Sequence, residues 1–205
     1  MRILFNSMPV VFNPIPEAVL FCVMVSWLVF VLAFGLRKRP PKTSETKRDP
    51  TSFFGIVLQG LSYGITWAIP RQYFTPIVVM PRALEFALAI VTAAIAAVAV
   101  WLCAAAIRTL GKQWTYVARV VEGHKLITQG PYRIVRNPIY AGMFGMLVAT
   151  GLAVSRWWVL LIAVILFLIG NSIRIRSEEK LLHEAFGAEF EDYARRVPAM
   201  FPRLF

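Results

Sequence analysis

Five long apolar runs, separated by short polar and basic stretches, constrain the fold of this chain more than any other feature of its sequence. An apolar run of about 20 residues is long enough for one helix to cross ~30 Å of hydrocarbon. A hydrophobic fraction of 58% and a mean hydropathy of +0.63 are too high for an ordinary soluble domain. We therefore predict a single all-α integral membrane domain over residues 1–205, with five transmembrane helices at about 17–36, 52–69, 84–107, 139–154 and 157–173.

The last two runs are joined only by Ser155 and Arg156, which predicts a tight antiparallel helical hairpin. Small residues recur every four positions in the first hairpin helix and predict close contact between the two hairpin helices. These small residues are Ala141, Gly145 and Ala149. Close contact of the second run with its neighbours is predicted by Gly55, Gly60 and Gly64.

The polar tail that follows the fifth run carries apolar residues at helical spacing, which predicts one amphipathic helix at the membrane surface. These residues are Leu182, Phe186, Phe190, Tyr193 and Val197.

The net charge of +11 comes from basic residues that lie between the apolar runs rather than along one helix face. Six of the 22 basic residues fall within 37–50, a stretch whose end, 40–50, resembles a linker. Such charges orient membrane helices, so no nucleic-acid partner is expected. We predict an N-terminus outside, a C-terminus in the cytoplasm and, in a prokaryote, the inner membrane. The expected surroundings are the lipid bilayer, and no obligatory protein partner is indicated.

The usual motifs of soluble enzymes and metal proteins are missing. The sequence has no glycine-rich dinucleotide or phosphate loop, no H-E-x-x-H and no G-x-S-x-G. With His124 and His183 as the only histidines, no metal site is predicted. Cys22 and Cys103 lie inside apolar runs, where a thiol is a poor nucleophile.

The polar stretch GHKLITQGPYRIVRNPIYAG, residues 123–142, precedes the fourth run and is the first candidate functional segment. Polar groups at the edge of a membrane are costly to desolvate, which favours a functional role. Pro138 fits the first turn of a helix, whose unpaired N–H groups suit a carboxylate. The alternative is an ordinary basic loop on the cytoplasmic side.

A second polar group, Arg174, Arg176, Glu178 and Glu179, follows the fifth run. A hairpin would return this group to the membrane depth at which Tyr140 lies. Arginine donates paired hydrogen bonds to a carboxylate, and a glutamate suits a cation or hydroxyls. The alternatives are a solvated helix face, with Glu179 paired to His183, and an Arg174 side chain that extends to the membrane surface.

The order G-H-K-L-I, G-P-Y, R-N-P-I-Y-A-G, an apolar hairpin, R-I-R-S-E-E, F-G-A-E-F-E-D-Y and V-P-A-M-F-P resembles the isoprenylcysteine carboxyl methyltransferase family of integral membrane enzymes. The resemblance covers about residues 110–205, which it implies is the cofactor-binding region. It implies transfer of a methyl group from S-adenosyl-L-methionine to a lipophilic small-molecule or lipidated acceptor at the cytoplasmic face.

The resemblance also implies roles for single residues. The cofactor contacts would be His124, Lys125, Leu126, Ile127, Tyr132, Asn137, Pro138, Ile139, Tyr140 and Glu178. Arg174 would orient the acceptor. Asn137 stands where the family commonly has a histidine, and an asparagine cannot carry that residue's positive charge.

The favoured acceptor is a carboxylate, which is already a nucleophile and needs no base. An amine or thiol would have to lose a proton, and Glu178 or Glu179 would be the base. The alternatives are a phospholipid N-methyltransferase, a related NADPH-dependent membrane reductase and a non-enzymatic membrane scaffold.

Overall fold

The computed structural model describes residues 13–35, 45–48, 50–72, 75–111, 119–121 and 126–201. Within these ranges the chain is mostly helical, with one 3-10 turn at Gly130–Arg133 and two short strands. The helices are α1 (Pro14–Gly35), α2 (Ser52–Ala68), α3 (Arg82–Leu110), α4 (Pro138–Val154), α5 (Trp157–Phe186) and α6 (Ala188–Arg196). The strands are β1 (Glu45–Arg48) and β2 (Arg119–Val121).

Three of the helices, α1, α3 and α5, are long and apolar enough to cross a membrane. They have 22, 29 and 30 residues. Helix α4 is apolar but has 17 residues, and α2 also has 17. Large apolar side chains such as Phe21, Leu28 and Trp101 lie exposed on the outer surface, as lipid-facing side chains do. The described part of the chain is therefore mostly helical with three candidate membrane spans, and the five-span topology stays a prediction.

The helix ends collect on two sides of the molecule. On one side, Asn13 before α1 donates a hydrogen bond to Glu85 in the first turn of α3, and Pro70 after α2 bridges to Ser155. On the other side, Tyr140 at the start of α4 contacts Glu178 of α5. We call these the Ser155 side and the Glu178 side.

Helices α3 and α4 pack closely because α4 presents glycines to α3. A Cβ atom on Gly142 would lie 2.7 Å from the carbonyl oxygen of Ala99, and one on Gly145 would lie 2.9 Å from the Ala99 Cβ. Of the predicted stripe, Gly145 and Ala149 face α3, so the prediction that they contact the other hairpin helix is wrong, whereas Ala141 packs against a cluster that includes Phe167 of α5. A stripe shows how closely a neighbour can approach, but nothing in it specifies which helix that neighbour is.

The glycines of α2 behave differently from one another. A Cβ on Gly55 would collide with Arg174 Cγ and would lie 2.6 Å from the Gly170 carbonyl oxygen. None of the residues that the structure describes lies within 4 Å of the same position on Gly60 or Gly64. Close contact was correctly predicted at Gly55 and wrongly at the other two, because only Gly55 faces α5.

Hydrogen bonds also join the helices inside the apolar region. Trp27 Nε1 of α1 donates to Thr150 Oγ1 of α4 at 3.0 Å, and Tyr63 Oη of α2 donates to the Met143 carbonyl oxygen at 2.6 Å. In a membrane, helices release no water when they associate, so interhelical hydrogen bonds of this kind and close packing stabilise their association.

The single amphipathic helix predicted for the tail is wrong. Helix α5 continues beyond the predicted membrane boundary at 173 to Phe186, and a short helix α6 follows. Gly187 separates them with φ +51°, a positive value that glycine adopts more readily than any other residue. The apolar spacing continues across this break, so periodicity alone did not reveal it.

The strands add a feature that the all-α prediction and the linker prediction for 40–50 both missed. β1 and β2 pair antiparallel, with Glu45 opposite Val121 and Arg48 opposite Arg119. The two segments are about 70 residues apart in sequence, and a pairing between distant short segments has no local signal.

The guanidinium of Arg71 stabilises the Ser155 side. It donates hydrogen bonds to the carbonyl oxygens of Leu152, Ala153, Ser155 and Thr75 at 2.7–2.9 Å. Burial lowers the pKa of Arg71 to about 10, so the group is still charged at neutral pH and suits the carbonyl end of α4.

We expect Arg71→Met to lower the free energy of unfolding by about 2–4 kcal/mol, because it leaves several carbonyl oxygens without donors. The measurement is denaturant unfolding in detergent. Arg156→Met is the matched control, since Arg156 is exposed on the same side. Equal effects of the two substitutions would contradict this role of Arg71.

Candidate active site

The centre of the candidate site is a contact between Tyr140, Arg174 and Glu178. The Tyr140 hydroxyl donates a hydrogen bond to Glu178 Oε1, and Arg174 Nη2 lies 3.4 Å from the same oxygen. The Arg174 guanidinium carbon also lies 4.9 Å from the centre of the Tyr140 ring, a cation–π distance. The structure therefore joins the two polar segments that the sequence analysis predicted to meet.

Local sequence explains how these side chains reach one place. Pro138 begins α4, so Tyr140 lies in the first turn of that helix. Arg174 and Glu178 are four residues apart on α5 and so share one helix face. Because α4 and α5 are joined by two residues, their contacts return the Arg174 face to the start of α4.

Two buried amides that the sequence analysis missed extend this contact. Arg174 Nη1 donates to Gln59 Oε1 of α2 at 3.2 Å, and Gln59 Nε2 donates to Asn171 Oδ1 at 3.2 Å. Asn171 Nδ2 lies 2.9 Å from Met200 Sδ. Gln59 and Asn171 are polar residues inside predicted spans, so the rule that flagged residues 123–142 would have found them.

A second cluster lies beside the first. Arg136 donates to both carboxylate oxygens of Glu179, at 2.9 and 3.0 Å, and to the carbonyl oxygens of Ala194 and Val197. Asn137 Nδ2 also lies 3.3 Å from Glu179 Oε1. The predicted alternative pairing of Glu179 with His183 is wrong, because His183 contacts Glu191 at 2.7 Å.

The C-terminal segment covers the entry to α4. The backbone N–H of Arg136 donates to the Pro198 carbonyl oxygen, and the backbone N–H of Asn137 to that of Ala199. Asn137 Nδ2 donates to the Ala199 oxygen as well, at 3.0 Å. These two N–H groups, which precede the first turn of α4, therefore donate to the protein's own tail.

The turn before α4 is anchored by α6. Tyr193 Oη donates to the Tyr132 carbonyl oxygen at 2.6 Å, and both side chains are buried. Burial raises the pKa of Tyr193 to about 12, with a further rise from Glu179 and an opposing effect of Arg136. Tyr193 therefore stays a neutral donor at physiological pH.

The structure describes four of the other predicted cofactor residues. Leu126 packs against the buried cluster of Phe190, Tyr193 and Val197. Pro138 is buried, while Ile127 and Ile139 are half-buried. His124 and Lys125 lie outside the described residues. The site assignments as a set stay a prediction.

The arrangement has a clear chemical character. One cation and one carboxylate, Arg174 and Glu178, lie side by side at the end of an apolar helix bundle, with an aromatic ring over the cation. Glu179 is occupied by Arg136 and is poorly available as a base. The cluster could hold a ligand that carries an anionic group for Arg174 and a cationic or hydroxylic group for Glu178. It offers no further carboxylate among the described contacts that is available as a base.

Because Glu179 is held at both oxygens, we expect Glu179→Gln to lower the free energy of unfolding by about 1–3 kcal/mol. Glu191→Gln is the matched control, since the His183–Glu191 pair is about half exposed at 54% and 53% and should contribute almost nothing. Chemical unfolding of both variants in one detergent tests this. Similar stabilities for the two variants would show that the Arg136 contact is not structural.

Comparison with known proteins supports an enzyme family. The sequence profile of the phospholipid methyltransferase family matches residues 87–189, about half of the chain. The match begins within α3 and ends in α6, so it includes Tyr140, Arg174 and Glu178 but not α2.

Individual relatives have several printed names. The chain is 39% identical over 99 residues to the nickel-cobalt-cadmium resistance protein NccN of Alcaligenes xylosoxydans xylosoxydans, covering 47% of this chain and 45% of that protein. It is 34% identical over 99 residues to a probable protein-S-isoprenylcysteine O-methyltransferase of Oryza sativa subsp. indica, covering 47% and 52%. It is 33% identical over 89 residues to methanethiol S-methyltransferase 2 of Bradyrhizobium diazoefficiens, covering 42% and 32%. The chain thus spans about half or less of the length of the curated relatives it matches.

The described helices include candidate membrane spans, and Arg174 and Glu178 pair at one end of them. These features define a membrane protein with a polar site. The chain belongs to the phospholipid methyltransferase family. The predicted resemblance to isoprenylcysteine methyltransferases is confirmed by relatives with that name. The prediction of a methyltransferase is confirmed at the level of the family.

Proposed function

We propose that this protein transfers a methyl group from S-adenosyl-L-methionine to a lipophilic carboxylic acid at the Glu178 side. The observation that carries the proposal is the contact of Tyr140, Arg174 and Glu178, which unites the two segments most characteristic of the family resemblance. Family membership favours this function over a reductase or a scaffold.

The chemistry of the described residues fits the methyl donor. S-adenosylmethionine has an ammonium group and ribose hydroxyls, and Glu178 offers a carboxylate that can accept hydrogen bonds from either. Tyr140 would lie beside it, and Tyr132 and Asn137 are in the same turn region. Leu126, Ile127, Pro138 and Ile139, together with His124 and Lys125, complete the proposed donor region.

Arg174 is the residue that we propose binds the acid that accepts the methyl group. It is a buried guanidinium on the same face as Glu178, and guanidinium matches the two oxygens of a carboxylate. A neutral or cationic acceptor head group would gain nothing from this contact. Arg174 therefore favours a carboxylate over the amine of a phospholipid.

The donor supplies an electrophilic methyl on a cationic sulfur, and in the transfer an acceptor carboxylate oxygen forms the new C–O bond while sulfur keeps the electron pair of the broken C–S bond. The protein's residues would act mainly by position: Arg174 would orient the acid, Glu178 would bind the donor's polar groups, and the apolar helices would keep water away. A carboxylate carries no proton that must be removed, so the engagement of Glu179 by Arg136 is compatible with turnover.

We also propose the membrane arrangement. Helices α2 and α4 would cross the bilayer with α1, α3 and α5, and α4 and α5 would form the transmembrane hairpin. The Glu178 side would face the cytoplasm, because most basic residues fall in the loops on that side. In a prokaryote this membrane would be the inner one, and the lipophilic acceptor would enter from the bilayer without an obligatory protein partner.

The test of the proposed function is mass spectrometry of membrane lipids incubated with the purified protein and S-adenosylmethionine that carries a deuterated methyl group. We expect deuterated methyl esters that are released by mild base. Deuterium in choline-type head groups would instead favour phospholipid N-methylation. No deuterium in any lipid, together with thermal stabilisation by NADPH, would favour the reductase.

The proposed roles predict different effects for two substitutions. Glu178→Ala should weaken binding of the product S-adenosylhomocysteine by about ten-fold or more in calorimetry, because a hydrogen bond to a charged group is lost. Arg174→Ala should reduce turnover of the acid much more than it reduces this binding.

Matched controls are available on the same part of the chain. Arg176→Ala removes an exposed arginine from α5, and Glu189→Ala removes an exposed acid from α6. Both should bind S-adenosylhomocysteine like the unmodified protein. Full-strength binding by Glu178→Ala would reject the proposed donor residue.

A further inference from the structure

We infer that Gln59 of α2, supported by Asn171 of α5, is a positioning residue that sets the direction of the Arg174 guanidinium toward the acceptor. The inference rests on the proposed function, since it concerns how the acceptor acid is held. It assigns a role to α2, which lies before the segment that matches the family.

The first observation is a continuous chain of polar contacts through three parts of the fold. Arg174 Nη1 contacts Gln59 Oε1 at 3.2 Å, Gln59 Nε2 contacts Asn171 Oδ1 at 3.2 Å, and Asn171 Nδ2 contacts Met200 Sδ at 2.9 Å. At its other end, Arg174 Nη2 contacts Glu178. The guanidinium is therefore held by Gln59 on one nitrogen and by Glu178 on another.

Arg174 and Met200, at the two ends of this series of contacts, determine the direction of every hydrogen bond in it. Arginine can only donate, so Gln59 must turn its oxygen toward Arg174 and its NH₂ toward Asn171. Asn171 must then accept from Gln59 with its oxygen and donate to Met200, whose sulfur can only accept. Neither amide can turn over without placing two donors or two acceptors together.

The second observation is the burial of the amides. Gln59 is 3% exposed and Asn171 is 1% exposed, both among apolar helices. An amide buried in this way is costly unless its groups are paired, whereas an apolar side chain of similar size would fill the space without that cost. A purely structural crossing of α2 and α5 would not need them.

The third observation is the geometry of the α2–α5 crossing. A Cβ atom on Gly55 would collide with Arg174 Cγ, and one on Gly170 would lie 2.8 Å from the Gly55 carbonyl oxygen. The absence of side chains at these two positions lets α2 lie directly against the stem of Arg174. Gln59 is one helical turn from Gly55 and so reaches the guanidinium.

A guanidinium that is already oriented loses less freedom when it binds a carboxylate. Removal of Gln59 should therefore weaken binding of the acceptor acid and leave binding of the methyl donor largely unaffected. A merely structural role would instead lower stability and change the affinity for both ligands together.

The test uses the full chain in detergent with N-acetyl-S-farnesylcysteine as the probe acid. Gln59→Met keeps the length of the side chain and removes the oxygen that accepts a hydrogen bond from Arg174. The double variant Gln59→Met with Asn171→Leu also removes the amide that Gln59→Met leaves unpaired. Thr66→Val is the matched control, because Thr66 is equally buried on α2 and its hydroxyl donates to the Ser62 carbonyl oxygen of the same helix.

We expect both Gln59 variants to raise the KM for the probe acid by about ten-fold, while S-adenosylhomocysteine affinity stays within about two-fold of the unmodified protein. The double variant should unfold at a higher temperature than Gln59→Met and keep the raised KM. In an Arg174→Ala background, Gln59→Met should have no further effect on KM, because its action passes through Arg174. Thr66→Val should leave all three quantities unchanged.

An unchanged KM in the Gln59 variants, or an equal KM effect of Gln59→Met with and without Arg174, would overturn the inference while the proposed function stands. If Gln59→Met does not fold, the double variant carries the test. An unmodified protein that binds S-adenosylhomocysteine but never esterifies the probe acid would refute the proposed acceptor class, and the inference with it.

Discussion

The pairing of Arg174 with Glu178, closed by the Tyr140 hydroxyl, is the interaction on which the rest of this structure depends. A charge among apolar helices is tolerated only where an opposite charge and hydrogen bonds compensate for the lost water. Here the compensating groups come from α2, α4 and α5. Those helices must therefore keep one relative position for the charges to stay satisfied, and this requirement ties the fold to the candidate site.

Small residues make that position accessible. Gly55 and Gly170 let α2 and α5 approach until their backbones nearly touch, and Gly142 and Gly145 do the same for α4 and α3. In an apolar solvent, helices gain little from burying apolar area, so close contact and polar partners determine how they associate. The same crossing that stabilises α2 against α5 also brings the amide of Gln59 to Arg174, the candidate residue for binding the acid.

Much of the candidate site followed from residues close together in sequence. The basic stretch before α4 and the acidic and basic group on α5 were predicted to meet, and Tyr140 and Glu178 do so. The partners within each group were less predictable. Glu179 pairs with Arg136 rather than with His183, because the tail folds back through Gly187 and α6. Leu126 packs on that tail.

The amino-acid sequence by itself determined the apolar helices, the approximate positions at which they begin and the family, because these depend on local composition, spacing and motif order. Only the tertiary structure decided which helix each small-residue stripe faces, that β1 pairs with β2, and that Gln59 supports Arg174. Those contacts join residues far apart in the chain. Their partners are selected by shape and by hydrogen-bond direction in three dimensions, and neither leaves a periodic signal in the sequence.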